Sequence, residues 1–435
     1  MTFEELDPEA QNNYAAVNNR MGLSHDFSSH GPIESQAGVP LVFSADPLES
    51  HVPPKIISVA SIAQMNDMLG VPDHFPDEHI EGPEPLEQRV QFHLSNVGST
   101  NELWSKLTES DIKNVKTAAR TYILGNSERV KEYEPLINAL MFPAKIAYFA
   151  CPDDYIIKGP VVVKKSGSTP IYWCYNNIII EPGGSITSEA EDFKIDCNNF
   201  KTVSAAASEY GLEAGTDYKI DISVAGYTKA APDGTDAGQG NQGPKGDNAV
   251  EKQDMGTKGC PWTCVSQAKD GKPGLIGGNG TPGSPGGRGQ DQGTFTMTVK
   301  QVITGQLIIT VGGGNGQDAG RGGNGGPGGP GGFPGDVGVH AACTTKANQG
   351  PQGPGGNGAK GGKGGDGGDG NVVTIFYTSI EGGVQPNYVG GLPGNPGKGG
   401  AVGPGIPAGG SDGVGDPGGN GKIVKISLKQ LPTNQ

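Results

Sequence analysis

Hydrophobic positions change period along the chain, and each change predicts a different kind of element. Ile112, Val115, Ala118, Ala119, Tyr122 and Ile123 follow helical spacing. Gly125 and Asn126 stop that helix, and Ser127 can cap the next. Val130, Tyr133, Leu136, Ile137 and Leu140 carry the second helix to Pro143. The spacing therefore predicts a helical hairpin over 101–143. From 144 to 225, short apolar runs at 146–150, 161–164, 172–180, 193–197 and 218–224 read as strands, with a tight corner at Pro182, Gly183 and Gly184. They predict a β domain, either a sandwich or a short solenoid. Residues 1–100 show neither period. They are rich in Pro, Asp, Glu, Asn and Ser and read as an extended acidic N-terminal arm. Its apolar segment 56–62 reads as a strand or a docking peptide.

Beyond 225 the period becomes three. Gly320, Gly323, Gly326, Gly329 and Gly332 recur at that spacing, as do Gly355, Gly358, Gly361, Gly364, Gly367 and Gly370. A three-residue period is that of polyproline-II geometry, which makes no internal hydrogen bonds. Its backbone groups must then meet water or one another. Double-glycine triplets such as Gly322-Gly323-Asn324 allow two close neighbours. The pattern predicts a polyglycine-II helix bundle over 226–435 with interspersed strands. An interrupted collagen-like triple helix is the alternative. The apolar runs 294–300 and 306–311 read as a hairpin, and 372–378 and 423–428 as further strands. If the runs alternate in direction, the strands gather at one end. Residues 247–270 and 339–349 then gather at the other, bringing Cys343 near Cys260 or Cys264.

Composition supports this division. Of 76 glycines, 63 lie beyond residue 225, so only the first half can bury an ordinary core. The net charge of −14 argues against nucleic acid or anionic membranes as partners. No apolar stretch has transmembrane length, and the N-terminus lacks a signal region. Localisation stays open. Six cysteines are too few to dictate a disulfide framework.

The returning double-glycine runs resemble the polyglycine-II bundles of phage tail-fibre tip adhesins and, by repeat style, of springtail antifreeze proteins. The resemblance covers about residues 234–421. For the adhesins it implies an attachment region, a glycine bundle and distal loops that bind a receptor. Residues 247–270 and 339–349 match those loops by order. This implies a non-enzymatic, adhesin-like surface-binding protein whose tip meets a cell-surface glycan or protein. The alternative is a self-assembling fibre or coat component, a homo-oligomer joined through the bundle or through its N-terminal arm. Charged side chains such as Lys363, Asp366 and Asp369 along the runs argue against ice as the ligand.

The expected binding residues are Trp262, His340, Thr344, Thr345 and Lys346. Cys260, Cys264 and Cys343 are the disulfide candidates. Other chemistry fits poorly. The runs beginning at Gly313 and Gly364 match the start of a calcium-binding nonapeptide, but Gly320 and Asn371 stand where an aliphatic residue is needed. Asp73, His74, Asp77, Glu78 and His79 match no standard zinc spacing. No catalytic constellation assembles, a Cys343–His340 pair included, and no cofactor is implied.

Overall fold

The computed structural model describes residues 2–71, 82–96, 98–165, 167–203, 219–223, 232–235, 244, 246–253, 261–406, 413–423 and 426–431. Helix α1 (Pro8–Arg20) starts at Asp7, whose carboxylate accepts the amides of Glu9 and Ala10. It is followed by β1 (Glu34–Ser35), β2 (Leu41–Phe43), β3 (Lys55–Val59) and α2 (Ile62–Leu69), then α3 (Gln88–Asn96), α4 (Thr100–Lys106) and α5 (Glu109–Ile123). A 3₁₀ segment (Ser127–Tyr133) leads into α6 (Glu134–Met141). Thr108 and Asp111 close a reciprocal capping box at the start of α5.

The strands that follow are β4 (Ala144–Cys151), β5 (Tyr155–Ile157), β6 (Pro160–Val163), β7 (Ile171–Ile180), β8 (Ser185–Ser188), β9 (Asp192–Thr202) and β10 (Lys219–Ser223). Then come β11 (Val250–Gln253), β12 (Trp262–Ser266), β13 (Thr294–Gly312), β14 (Val373–Tyr388) and β15 (Ile426–Gln430). Thirteen of them form one sheet, while β11 and β12 pair separately. Within the large sheet every pairing is parallel except β3 with β4.

The registers resolve this sheet into three ladders. In the first, Ala147, Ile171, Phe193, Phe295, Val373 and Ile426 are successive partners. In the second the series is Tyr155, Ile178, Phe200, Ile303 and Ile380. In the third it is Leu41, Val161, Ile186, Ile220, Ile309 and Pro386. Side chains from all three ladders meet in one buried cluster, so the chain winds around a single interior. The first ladder is buried on its other face too. Tyr148, Tyr172, Cys174 and Phe376 point away from that interior and pack under the helices. Burial on both faces explains the nearly unbroken apolar run of β7.

The first corner of the winding is held by amide side chains. Asp154 accepts from Asn177, Asn199 donates to Asn177, and Asn199 donates again to Gln301. Between the first ladder and the helices lies a buried charge network. Lys194 sits 3.5 Å from Asp196 and donates to the Leu69 carbonyl at the end of α2. Arg20 of α1 reaches within 3.8 Å of Asp196, and the Tyr172 hydroxyl donates to it.

These findings correct the expected fold class. The protein is a mixed α/β fold built on a large parallel sheet, with six short α-helices among the described residues. Its architecture is neither a polyglycine-II bundle carrying strands nor a collagen-like triple helix, and the chain is not a fibre. Parallel neighbours require a crossover connection between them. Residues 181–191, with the short strand β8 among them, make this connection between the paired strands β7 and β9, whereas 313–372 make it between β13 and β14. The glycine runs are these enlarged crossovers, and the described residues in them carry essentially neither helix nor strand.

Two local expectations change for the same reason. The anticipated hairpin at 294–311 is one strand, β13, whose successive parts join different neighbours in parallel. The N-terminal region is not an extended arm: Ala10, Tyr14, Val17 and Met21 are buried in the helical layer. Their helical spacing was present but diluted by polar neighbours.

Candidate functional site

The crossovers lie side by side and bond through their backbones. Gly320, Gly323, Gly326, Gly329 and Gly332 donate to Ser284, Thr281, Gly278, Leu275 and Lys272. Gly361, Gly364, Gly367 and Gly370 donate to Gly413, Asp416, Gly419 and Lys422. A Cβ on Gly355 or Gly358 would fall 1.8 or 2.2 Å from the carbonyl oxygens of Gly403 and Gly400.

Side chains repeat the same connection. The amides of Asn348, Asn357 and Asp369 donate to Asp270, Asn279 and Asp291. Those of Leu392, Asn395 and Ala401 donate to Asn315, Asp318 and Asn324. Asp366 and Asp369 accept from Gly419 and Lys422. This is the work of the carboxylates in the calcium-like hexapeptides. The Asp366 carboxyl is held below its ordinary range, first by the Gly419 amide and then by Lys363.

These bonds carry the crossovers away from the sheet. The amide of Gly289, close to β13, donates to Asp366, while that of Gly271 donates to Asn348. The 18 residue steps from Gly271 to Gly289 span roughly 55 Å at about 3.1 Å per residue of extended chain. At the far end β11 and β12 pair antiparallel, and the turn at 339–343 lies against them.

Three connections fix this tip. Cys264 of β12 and Cys343 form a disulfide with their Cα atoms 4.9 Å apart. Glu251, opposite Cys264 in the register, accepts the backbone amides of His340, Ala342 and Cys343 at 2.7, 2.6 and 2.8 Å. Burial alone would raise the Glu251 carboxyl, but the three amides outweigh it and hold the group below its ordinary value. The same grip supports Ala341 at φ 60°, a conformation costly for a residue with a Cβ. Finally, the rings of Trp262 and His340 stack with centroids 3.7 Å apart and planes 9° apart.

The structure thus brings Trp262, His340, Cys264 and Cys343 together. Thr344, Thr345 and Lys346 follow in exposed chain, where the Thr345 amide donates to Gln267. Cys260 lies outside the described residues, as do His74 and His79 with their acidic neighbours. Sequence reasoning missed Glu251. The alternating exposure of Val250–Gln253 and Trp262–Ser266 marks them as strands, but nothing local shows which carboxylate will receive three amides. It also missed the bulge that sets Val265 outside the register between β11 and β12.

A second concavity fits recognition less well. A cleft of about 300 Å³ is lined by Thr2, Phe3, Asp26, Ser28, His30 and Cys151. The His30 ring is occupied on both nitrogens, 2.7 Å from the Gly31 carbonyl and 3.1 Å from the Tyr175 hydroxyl. Burial pushes the Cys151 thiol up, away from the reactive thiolate. Among the described residues no group of three or more His, Cys, Asp or Glu side chains is placed to hold a metal ion. No helix there is long and apolar enough to cross a membrane.

Against known proteins, no family model matches the chain, and no curated protein and no solved structure is similar to it.

Proposed function

We propose that this protein is a non-enzymatic surface-binding protein that holds out the β11–β12 tip as its recognition element. The observation that carries the reading is the Trp262–His340 stack, clasped by Cys264–Cys343 and by Glu251. Aromatic rings supply much of the energy at recognition surfaces because they bury area with little loss of rotamer freedom. Here Trp262 remains 37% exposed although its ring rests on His340, so it is held in place with surface left to offer. The partner class is a cell-surface glycan or protein.

Binding of the full chain to intact cells and to an immobilised glycan panel tests this. Trp262→Ala is expected to weaken binding at least about tenfold, the cost of losing an aromatic anchor. His340→Ala should weaken it less. Unchanged binding of both variants to every surface that the parent binds would discard the tip as the recognition element.

A further inference from the structure

Five asparagines in the crossovers stand directly before a glycine: Asn279, Asn315, Asn324, Asn357 and Asn420. This pair is chemically labile. The glycine nitrogen, unshielded by a Cβ on its own residue, attacks the asparagine side-chain carbon. Ammonia leaves and a five-membered succinimide closes. Water then opens the ring to aspartate or, at the other carbonyl, to isoaspartate, which routes the main chain through an additional methylene.

Three of these asparagines are held against the reaction in the same way. Asn279 Oδ1 accepts the Asn357 amide at 2.9 Å, while the following amide, that of Gly280, donates to the Asn357 carbonyl at 3.0 Å. Leu392 makes the same two bonds with Asn315 and Gly316, and Ala401 makes them with Asn324 and Gly325. Each clasp fixes both reacting groups on one residue of a neighbouring segment. Ring closure must open both bonds, because the side chain has to turn back over its own backbone and the nitrogen has to lose its proton. Asp366 and Asp369, which also precede glycines, are clasped likewise to Gly419 and Lys422. Asn420 differs. The Gly421 amide donates to the Gly391 carbonyl at 3.0 Å, but the exposed Asn420 side chain has no hydrogen bond among the described residues.

We infer that Asn420 is the position at which the folded protein modifies itself, passing through the succinimide to aspartate and isoaspartate, and that the clasps keep Asn279, Asn315 and Asn324 intact. The consequence is a loosened crossover. Asp366 and Asp369 lie three residues apart, as do their partners Gly419 and Lys422, so the two clasps are in register. An isoaspartate at 420 lengthens one segment between them and leaves the other unchanged. One clasp must then open, which frees the segment leading to β15. This modification does not depend on the binding function proposed above.

Ageing the full chain in mildly alkaline buffer, with and without urea, tests it. Mass spectrometry of tryptic peptides, with electron-transfer fragmentation, gives the aspartate and isoaspartate formed at each position. In the folded protein Asn420 is expected to convert about fivefold or more faster than Asn279, Asn315 and Asn324, the difference made by one further hydrogen bond. In urea the four rates should converge. Leu392→Pro suits extended chain and deletes the N–H that holds Asn315 while keeping the carbonyl that holds Gly316. It should bring Asn315 to the Asn420 rate. Hydrogen exchange at Gly419 or Lys422 should rise in the aged parent but not in aged Asn420→Gln, where a six-membered ring would have to close. Circular dichroism checks that the variants fold, and the comparison within the parent needs neither of them. Asn420 converting no faster than the three clasped asparagines, or the same order persisting in urea, would overturn the inference. So would an Asn315 rate unmoved by Leu392→Pro.

Discussion

Glu251 shows how one side chain organises a surface it does not itself present. Its two carboxylate oxygens take three backbone amides from the facing turn, and Gly338 is required there because a Cβ would fall 1.9 Å from the Glu251 carboxylate. The folded carboxyl lies below its ordinary value, so its contribution is present above pH 4.5 and is lost as pH falls through the lowered value. Acidification below pH 4.5 should therefore loosen the turn and unstack Trp262 from His340 before the sheet unfolds. Glu251→Gln, which keeps the shape but loses one acceptor oxygen, should show the loosened state already at neutral pH. His340 ring resonances and Trp262 fluorescence report both. An unchanged stack in the Gln variant across this range would remove Glu251 from the tip's support.

At the scale of elements, the crossovers depend on close approach rather than on side-chain packing. The Gly365 amide donates to Gln317, its carbonyl accepts from Gly394, and a Cβ there would fall 2.0 Å from the Gly287 carbonyl oxygen. At Gly419 the nearest atom to an added Cβ is Asp366 Oδ1 at 3.4 Å. Gly365→Ala should therefore cost about 1–3 kcal/mol or more by overpacking. Gly419→Ala should stay within about 1 kcal/mol, since it mainly restricts the unfolded chain. Amide hydrogen exchange along 313–371 separates the two, because composition changes identically and only the local space differs. Equal effects would mean that these segments are not packed as described. Period-three glycine was legible in the sequence, and so was the need of these segments for neighbours. Their role as crossovers was not, because a strand's own residues do not say whether its partner is parallel.

At the scale of the whole molecule, two layers meet over a buried charge network. Lys194 and Asp196 belong to the sheet, while Arg20 and the Leu69 carbonyl belong to the helices. Burial pushes the Asp196 carboxyl up to about 6, with Lys300 and Arg20 offsetting only part of the rise. Its value in the unfolded chain is 3.8, so between the two the folded state binds the additional proton. Stability from this group therefore rises as pH falls from about 6 toward 4, the reverse of an ordinary paired carboxylate. Relative to Asp196→Asn, the parent chain should gain on the order of 2–3 kcal/mol over that window. Urea unfolding of both proteins at a series of pH values measures the difference. Parallel curves would show that Asp196 titrates as it does in the unfolded chain. Sequence gave no sign of this network, since Lys194 and Asp196 read as the polar half of an alternating strand until helices cover that face.

Local spacing alone determined where α5, α6 and most strands would form, because period and capping are written within a few residues of each element. It also located the segments, around Trp262 and Cys343, that stand at the turning points of the chain. Only the tertiary structure decided that 13 of the described strands join one winding sheet and that residues 2–71 give it strands β1, β2 and β3 as well as part of its helical cover. Strand direction and register are set by partners as distant as Phe193 and Phe295, and no local pattern encodes which of two apolar faces will find a second layer.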